Sequence, residues 1–182
     1  LQAAPHGPEV LDRYPQVGIL KKEGIPEIKV PRALGRLLAK FPMLRRHPHP
    51  MTVHFPIVFM FCTPVFNILY LLTGIKAFEL TALHCLAGGI FFTVIAIITG
   101  FYTWWLNYMA RPLRAVTIKR CLAITMLATE IVVFAWRIKV PGILDSFGIP
   151  SLIYVLLVLS FLPMVTTMGW YGAKLTFPIE KE

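Results

Sequence analysis

The sequence predicts an all-α, polytopic membrane protein: a four-transmembrane-helix bundle preceded by an N-terminal interfacial amphipathic helix. Three observations lead there. The 182 residues are 57% hydrophobic and only 15% charged, with a mean hydropathy of +0.68, beyond ordinary soluble usage. From Met51 to Ala173 the chain is apolar almost without interruption, in four runs that each meet the roughly 20 residues needed to cross a hydrocarbon core of about 30 Å. Basic residues cluster between these runs, as the positive-inside rule produces. The net charge of +9 therefore reads as membrane flanking and not as nucleic-acid binding.

Taken in order, residues 1–30 are polar and broken by Pro5, Pro8, Pro15 and Pro26, too short a segment for a core of its own. The chain starts at Leu1 with no n-region or h-region, so it reads as something other than an intact secretory precursor, and as the ordered part of a longer protein. Residues 31–46 form a second unit. Leu34, Leu37, Leu38, Phe41 and Leu44 recur at helical spacing opposite Arg32, Arg36 and Lys40, which predicts an amphipathic helix interrupted near Pro42 and lying in the membrane surface.

The third unit, residues 47–182, holds the four spans, expected near Met51–Gly74, Glu79–Trp105, Ile118–Trp136 and Ser151–Ala173. Their linkers are short, so neighbours run antiparallel in up-down-up-down order. Pro56, Pro64 and Pro163 are expected to kink their helices, and Gly88, Gly89 and Gly100 to let backbones approach closely. Nine Lys and Arg residues precede the first span, four lie between Arg111 and Arg120 and two follow the last, against three (Lys76, Arg137, Lys139) on the other side. That asymmetry places both termini in the cytoplasm and the chain in the inner membrane. Tyr102, Trp104, Trp105, Tyr108, Trp170 and Tyr171 then form an aromatic belt at the inner face. Cys62, Cys85 and Cys121 lie inside spans without CxxC or CxxCH spacing, so neither disulfides nor covalent haem attachment is indicated.

Two groups of polar residues stand out as functional candidates, because ionisable side chains are expensive in lipid. The first is at the start of span 1, where three of the five histidines fall in His47-Pro-His49-Pro-Met-Thr-Val-His54-Phe-Pro56. They face Lys119 and Arg120 at the entrance of span 3, with Thr103, Trp104 and Asn107 arriving from span 2. A cationic, histidine-rich, aromatic pocket suits a quinone headgroup, a haem propionate or an anionic lipid. His49, His54, Lys119 and Trp104 are its cofactor-binding candidates.

The second group is in the outer half. Helical rise puts His84 about one and a half turns into span 2, with Asn67 of span 1 and Glu130 of span 3 within roughly one turn of its height. Tyr154 enters from the same side in span 4. One polar side chain per helix at one depth is the arrangement of a bundle-core site. His84 and Glu130 are the catalytic pair expected for proton chemistry at a quinone, with Asn67 and His84 also touching the cofactor. The bland alternative is a polar network that only fixes helix register. His54 and His84 are also candidates for haem iron, but they differ in height by roughly 20 Å, so one haem b cannot be held by both. Quinone or proton chemistry is favoured over haem at His84.

The run His49-Pro-Met-Thr-Val-His54-Phe-Pro-Ile57, with Thr99-Gly-Phe-Tyr-Thr-Trp-Trp-Leu-Asn-Tyr108 and Gly169-Trp-Tyr-Gly172, resembles a bacterial four-helix membrane domain of unknown function over about residues 47–178. In that family the HPxxVHFP start is the most specific motif and a His commonly opens the third helix, where this chain has Lys119. Residues 1–22, with Ala4-Pro-His-Gly-Pro-Glu-Val-Leu-Asp-Arg-Tyr-Pro-Gln-Val-Gly-Ile-Leu20, are similar to the tail of cytochrome b5-like haem-binding domains, which implies His6 as a surviving haem ligand. Together these imply a membrane subunit that passes electrons between a cytoplasmic redox partner and the menaquinone or ubiquinone pool, with haem b as an optional cofactor. The competing expectation is a cofactor-free anchor that docks a partner through the amphipathic helix and the basic loops. No Gly-rich phosphate loop, zinc spacing or nucleophile motif is present, which argues against catalysis by this chain alone.

Overall fold

In the computed structural model of the chain, the described residues are 31–41, 43–46, 48–108, 110 and 113–176. All regular structure among them is helical. Two short helices, α1 (Arg32–Lys40) and α2 (Met43–Arg46), lead into α3 (Pro48–Thr73), α4 (Lys76–Tyr108) and α5 (Arg114–Lys139), followed by α6 (Ile149–Leu159) and α7 (Phe161–Thr176). Four stretches are long and apolar enough to cross a membrane: Pro48–Thr73, Lys76–Asn107, Arg114–Lys139 and Ile149–Ala173. Each expected span is therefore found, mostly lengthened by a few polar residues at its ends.

The interruption expected near Pro42 separates α1 from α2. Helix α1 buries none of its residues, and Leu37, Phe41, Met43 and Leu44 leave an apolar surface open. Helix α2 packs on both α3 and α4, whereas among the described residues α1 packs on α2 alone.

The spans form a square. Helix α3 packs on α4 and on α6 and α7, and α5 packs on the same elements, while among the described residues the backbones of the diagonal pairs stay farther apart. Gly74 ends α3 in the left-handed region (φ 70°), its N–H bonded to Tyr70 O at 2.7 Å, so that two residues turn the chain into α4. The loop after α5 tucks Ile143 and Leu144 into the end of the bundle. Ser151 starts α6: its hydroxyl accepts the Gly148 N–H at 2.9 Å and donates to Gly148 O at 2.8 Å.

Met60, Leu86, Met126, Val133, Val158 and Phe161 make the core, while Phe61, Leu72, Phe91, Ile98, Ile131 and Leu156 point outward. An apolar outer face costs nothing in lipid, so close packing must hold the helices together. Gly88 and Gly89 permit it. A Cβ at Gly88 would stand 3.1 Å from the Phe59 ring, and one at Gly89 would collide with the Met60 methyl. Pro56 and Pro64 are buried inside a continuous α3, beside Thr63, whose hydroxyl bonds back to Phe59 O at 2.8 Å. At Pro163, which cannot supply the N–H that would bond Leu159 O, only one helical bond is lost: Ser160 keeps helical angles (φ −63°, ψ −19°), and α6 and α7 run on as one span. Ser160 stands between α6 and α7, its hydroxyl donating to Leu157 O at 2.6 Å.

Candidate functional site

Polar side chains gather at three levels of the bundle. At the Lys76 end, the two helices that flank the square's α4–α5 edge each contribute an acid or a base. Glu79, in the first turn of α4, forms an ion pair with Arg137, in the last turn of α5. Both side chains are within a tenth of full burial. Lys76 Nζ lies 3.1 Å from Glu79 Oε2 and also contacts Asp145 in the α5–α6 loop, and the Tyr70 hydroxyl donates to Asp145 Oδ1 at 2.6 Å. Lys76 and Tyr70 together hold the Asp145 carboxyl below the usual carboxylate range. Arg137 further donates to Val140 O at 3.3 Å, which satisfies the end of its own helix.

The middle level is Glu130, fully buried on α5. Thr93 of α4 donates to its Oε1 at 2.9 Å. Its Oε2 is buried and has no hydrogen-bond partner among the described residues. Nearer the Lys76 end, Asn67 and Tyr154 are buried together across α3 and α6, and the Asn67 amide donates to Thr63 O at 3.0 Å.

The third level is the His49 end, where all four spans contribute. His49 of α3 is half-buried; its Nδ1 is 3.5 Å from the Thr99 hydroxyl of α4, and a Cβ at Gly100 would stand 3.0 Å from its Cε1. Gly100 therefore makes room for the imidazole. Thr52 and Thr99 share a hydrogen bond of 2.8 Å. Lys119 of α5 acts electrostatically on His49, and its Nζ lies 3.4 Å from where a Cβ of Gly172 on α7 would be. Beside it the Arg120 guanidinium sits over Trp104 at 4.4 Å and Phe101 at 4.7 Å from the ring centroids, contacts that desolvation strengthens. Arg120 Nε and the Thr103 hydroxyl are buried without a hydrogen-bond partner among the described residues.

Residues 46–180 match the model of a family described as a predicted membrane protein, DUF2231. The chain belongs to that family. Searches among curated proteins and among solved structures find no match. The DUF2231 domain thus covers all four spans and all three polar levels, as expected of a four-helix membrane domain over residues 47–178. The cytochrome b5-like tail expected over residues 1–22, with His6, lies outside the described residues, as does His47.

Set against these positions, the expected sites divide. His49, Lys119 and Trp104 come to one end of the DUF2231 domain as expected. His54 does not join them: it is exposed on the outer surface of α3, five residues and about 140° around the helix from His49. The outer-half site corrects further. Glu130 and Asn67 are buried, but His84 is exposed. The inward face of α4 runs through Glu79, Ala82, Leu86, Gly89 and Thr93, and His84 is roughly opposite it. Nor are the depths equal. Glu130 meets Thr93, nine residues and about 13 Å along α4 from His84. Depth counted from span ends assumes spans of equal length, whereas α4 has 33 residues and α5 only 26. His84 and Glu130 are therefore not a catalytic pair. A haem inside the bundle also gains no axial ligand from His54 or His84, because both imidazoles point away from it.

Two partnerships were missed in the sequence. Glu79 and Arg137 lie near the same membrane face in any antiparallel reading, so their pairing was available from topology alone. Thr93 gave no signal, being one hydroxyl within a long apolar run.

Proposed function

We propose that this domain is the membrane subunit of an electron-transfer complex and that the His49 end binds a quinone headgroup. The observation that carries the reading is convergence: His49, Thr99 and Lys119 come from three different spans, and the Arg120–Trp104 pair closes the side. A quinone carbonyl needs donors that strengthen as negative charge develops on its oxygen, and an ammonium, a hydroxyl and an imidazole are such donors. Lys119 supplies the charge, His49 and Thr99 the directional bonds, and Trp104 a flat apolar wall for the ring. Reduction to the quinol takes two electrons from a haem or flavin partner and two protons, one on each carbonyl oxygen.

The Lys/Arg asymmetry supports cytoplasmic termini in an inner membrane, which puts the His49 end on the side of a cytoplasmic redox partner. On this reading α1 and α2 lie in the interface, their open apolar surface in the acyl boundary and Arg32, Arg36 and Lys40 toward anionic headgroups. The anchor reading shares this topology and lacks only the quinone.

Quenching of tryptophan fluorescence by a short-chain quinone, in the full chain in lipid nanodiscs, tests the proposal. Saturable quenching is expected, weakened at least tenfold by Lys119→Met and by His49→Ala. Quenching that rises linearly, and equally in all three proteins, favours the cofactor-free anchor.

A further inference from the structure

Glu130 is the one carboxylate among the described residues placed in the middle of the bundle, and none of its surface reaches solvent. Its surroundings supply a single hydrogen bond, from Thr93 to Oε1, and no cation: the ion pairs of the described residues all lie at the Lys76 end. Burying an ionised carboxylate with one neutral donor is far costlier than burying the neutral acid, so the group resolves its position by taking a proton. The geometry leaves a place for that proton. Oε1 is the acceptor for Thr93 and so behaves as the carbonyl oxygen; Oε2 is free to carry the hydrogen.

Polar groups lie on both sides of Glu130 along the bundle. Toward the Lys76 end, its inward face from Thr93 back to Glu79 reads Gly89, Leu86 and Ala82, about 20 Å without a polar side chain. On the facing side of α3, Thr63 and Asn67 both donate to carbonyls of their own helix. Toward the other end, Thr99 is six residues, or about 9 Å, along α4 from Thr93 and about 120° around it; it is linked to Thr52 and His49 and likewise donates to carbonyls of its own helix. The titratable groups nearest along the bundle are His49 of α3 at one end, with Lys119 on α5 itself, and Tyr154 of α6 with Glu79 and Arg137 at the other, the last two engaged with each other.

We propose that Glu130 is a proton-binding site within the membrane, a neutral carboxylic acid that holds its proton on Oε2. The site stands whether or not the His49 end takes a quinone.

Infrared spectroscopy of the full chain in lipid nanodiscs tests this without any quinone. At neutral pH a carbonyl stretching band of a protonated carboxyl should be present, vanish in Glu130→Gln, and move to lower frequency in D2O. In Thr93→Val the same band should move to higher frequency, because the carbonyl oxygen loses its donor. A spectrum in which Glu130→Gln removes no such band overturns the proposal, as does a band unmoved by D2O. Were Glu130→Gln to fail to fold, Thr93→Val decides alone: a protonated-carboxyl band that it leaves in place is not that of Glu130.

Discussion

Glu79 and Arg137 form an ion pair in which both side chains are almost wholly buried, one at the start of α4 and the other at the end of α5. The pair fixes the register of these two helices at the Lys76 end, and each partner is expensive alone. Arg137→Met should destabilise the bundle by about 3 kcal/mol, the low end of the range for breaking a buried pair, because Lys76 still reaches Glu79. The double variant Glu79→Gln/Arg137→Met should recover much of that loss. Reversible unfolding in mixed micelles measures both.

The neighbouring Asp145 cluster is exposed and responds to acid. Lys76 and Tyr70 lower the folded-state pKa of Asp145, so its contribution is fully present above the ordinary carboxylate value of about 3.9 and is lost as pH falls through the lower folded value. Protection of the 140–148 loop against hydrogen exchange, taken relative to the intrinsic rate at each pH, should therefore be steady down to about pH 4 and fall below it. In Asp145→Asn the loop should exchange fast at neutral pH as well, with the acid-dependent step gone.

Close packing between α3 and α4 rests on a side chain filling the place of a missing one. The Met60 methyl occupies the space over Gly89, and Met60 is completely buried. Gly89→Ala should cost about 1–3 kcal/mol, as overpacking does. The same change made in a Met60→Ala background should cost less, and that non-additivity in unfolding measurements identifies the contact.

The fold was legible because lipid imposes it. Twenty-residue apolar runs with basic flanks admit few structures, and the four spans, the interruption near Pro42 and the close glycine contacts all emerge from pattern. The site was legible only in part. His49 and Lys119 could be placed because they stand beside helix ends, where a residue's height is set by the membrane boundary. His84 and Glu130 could not. Their facing depends on rotation about each helix axis, and a span that is apolar on all sides has no amphipathic stripe to report it. Thr93, Leu86 and Ala82 mark the inward face of α4 only once the packing is known. The partner of Glu130 is thus a hydroxyl that hydropathy does not distinguish from its neighbours.

The quinone reading predicts where a quinone touches the chain, and photo-crosslinking measures that directly. An azidoquinone irradiated with the full chain in lipid nanodiscs should label residues 49–52, 99–104 and 119–120, and excess unlabelled quinone should suppress the labelling. Labels spread over the outward faces of the spans, such as Phe61, Phe91 and Ile131, and insensitive to competitor would contradict a headgroup site at the His49 end.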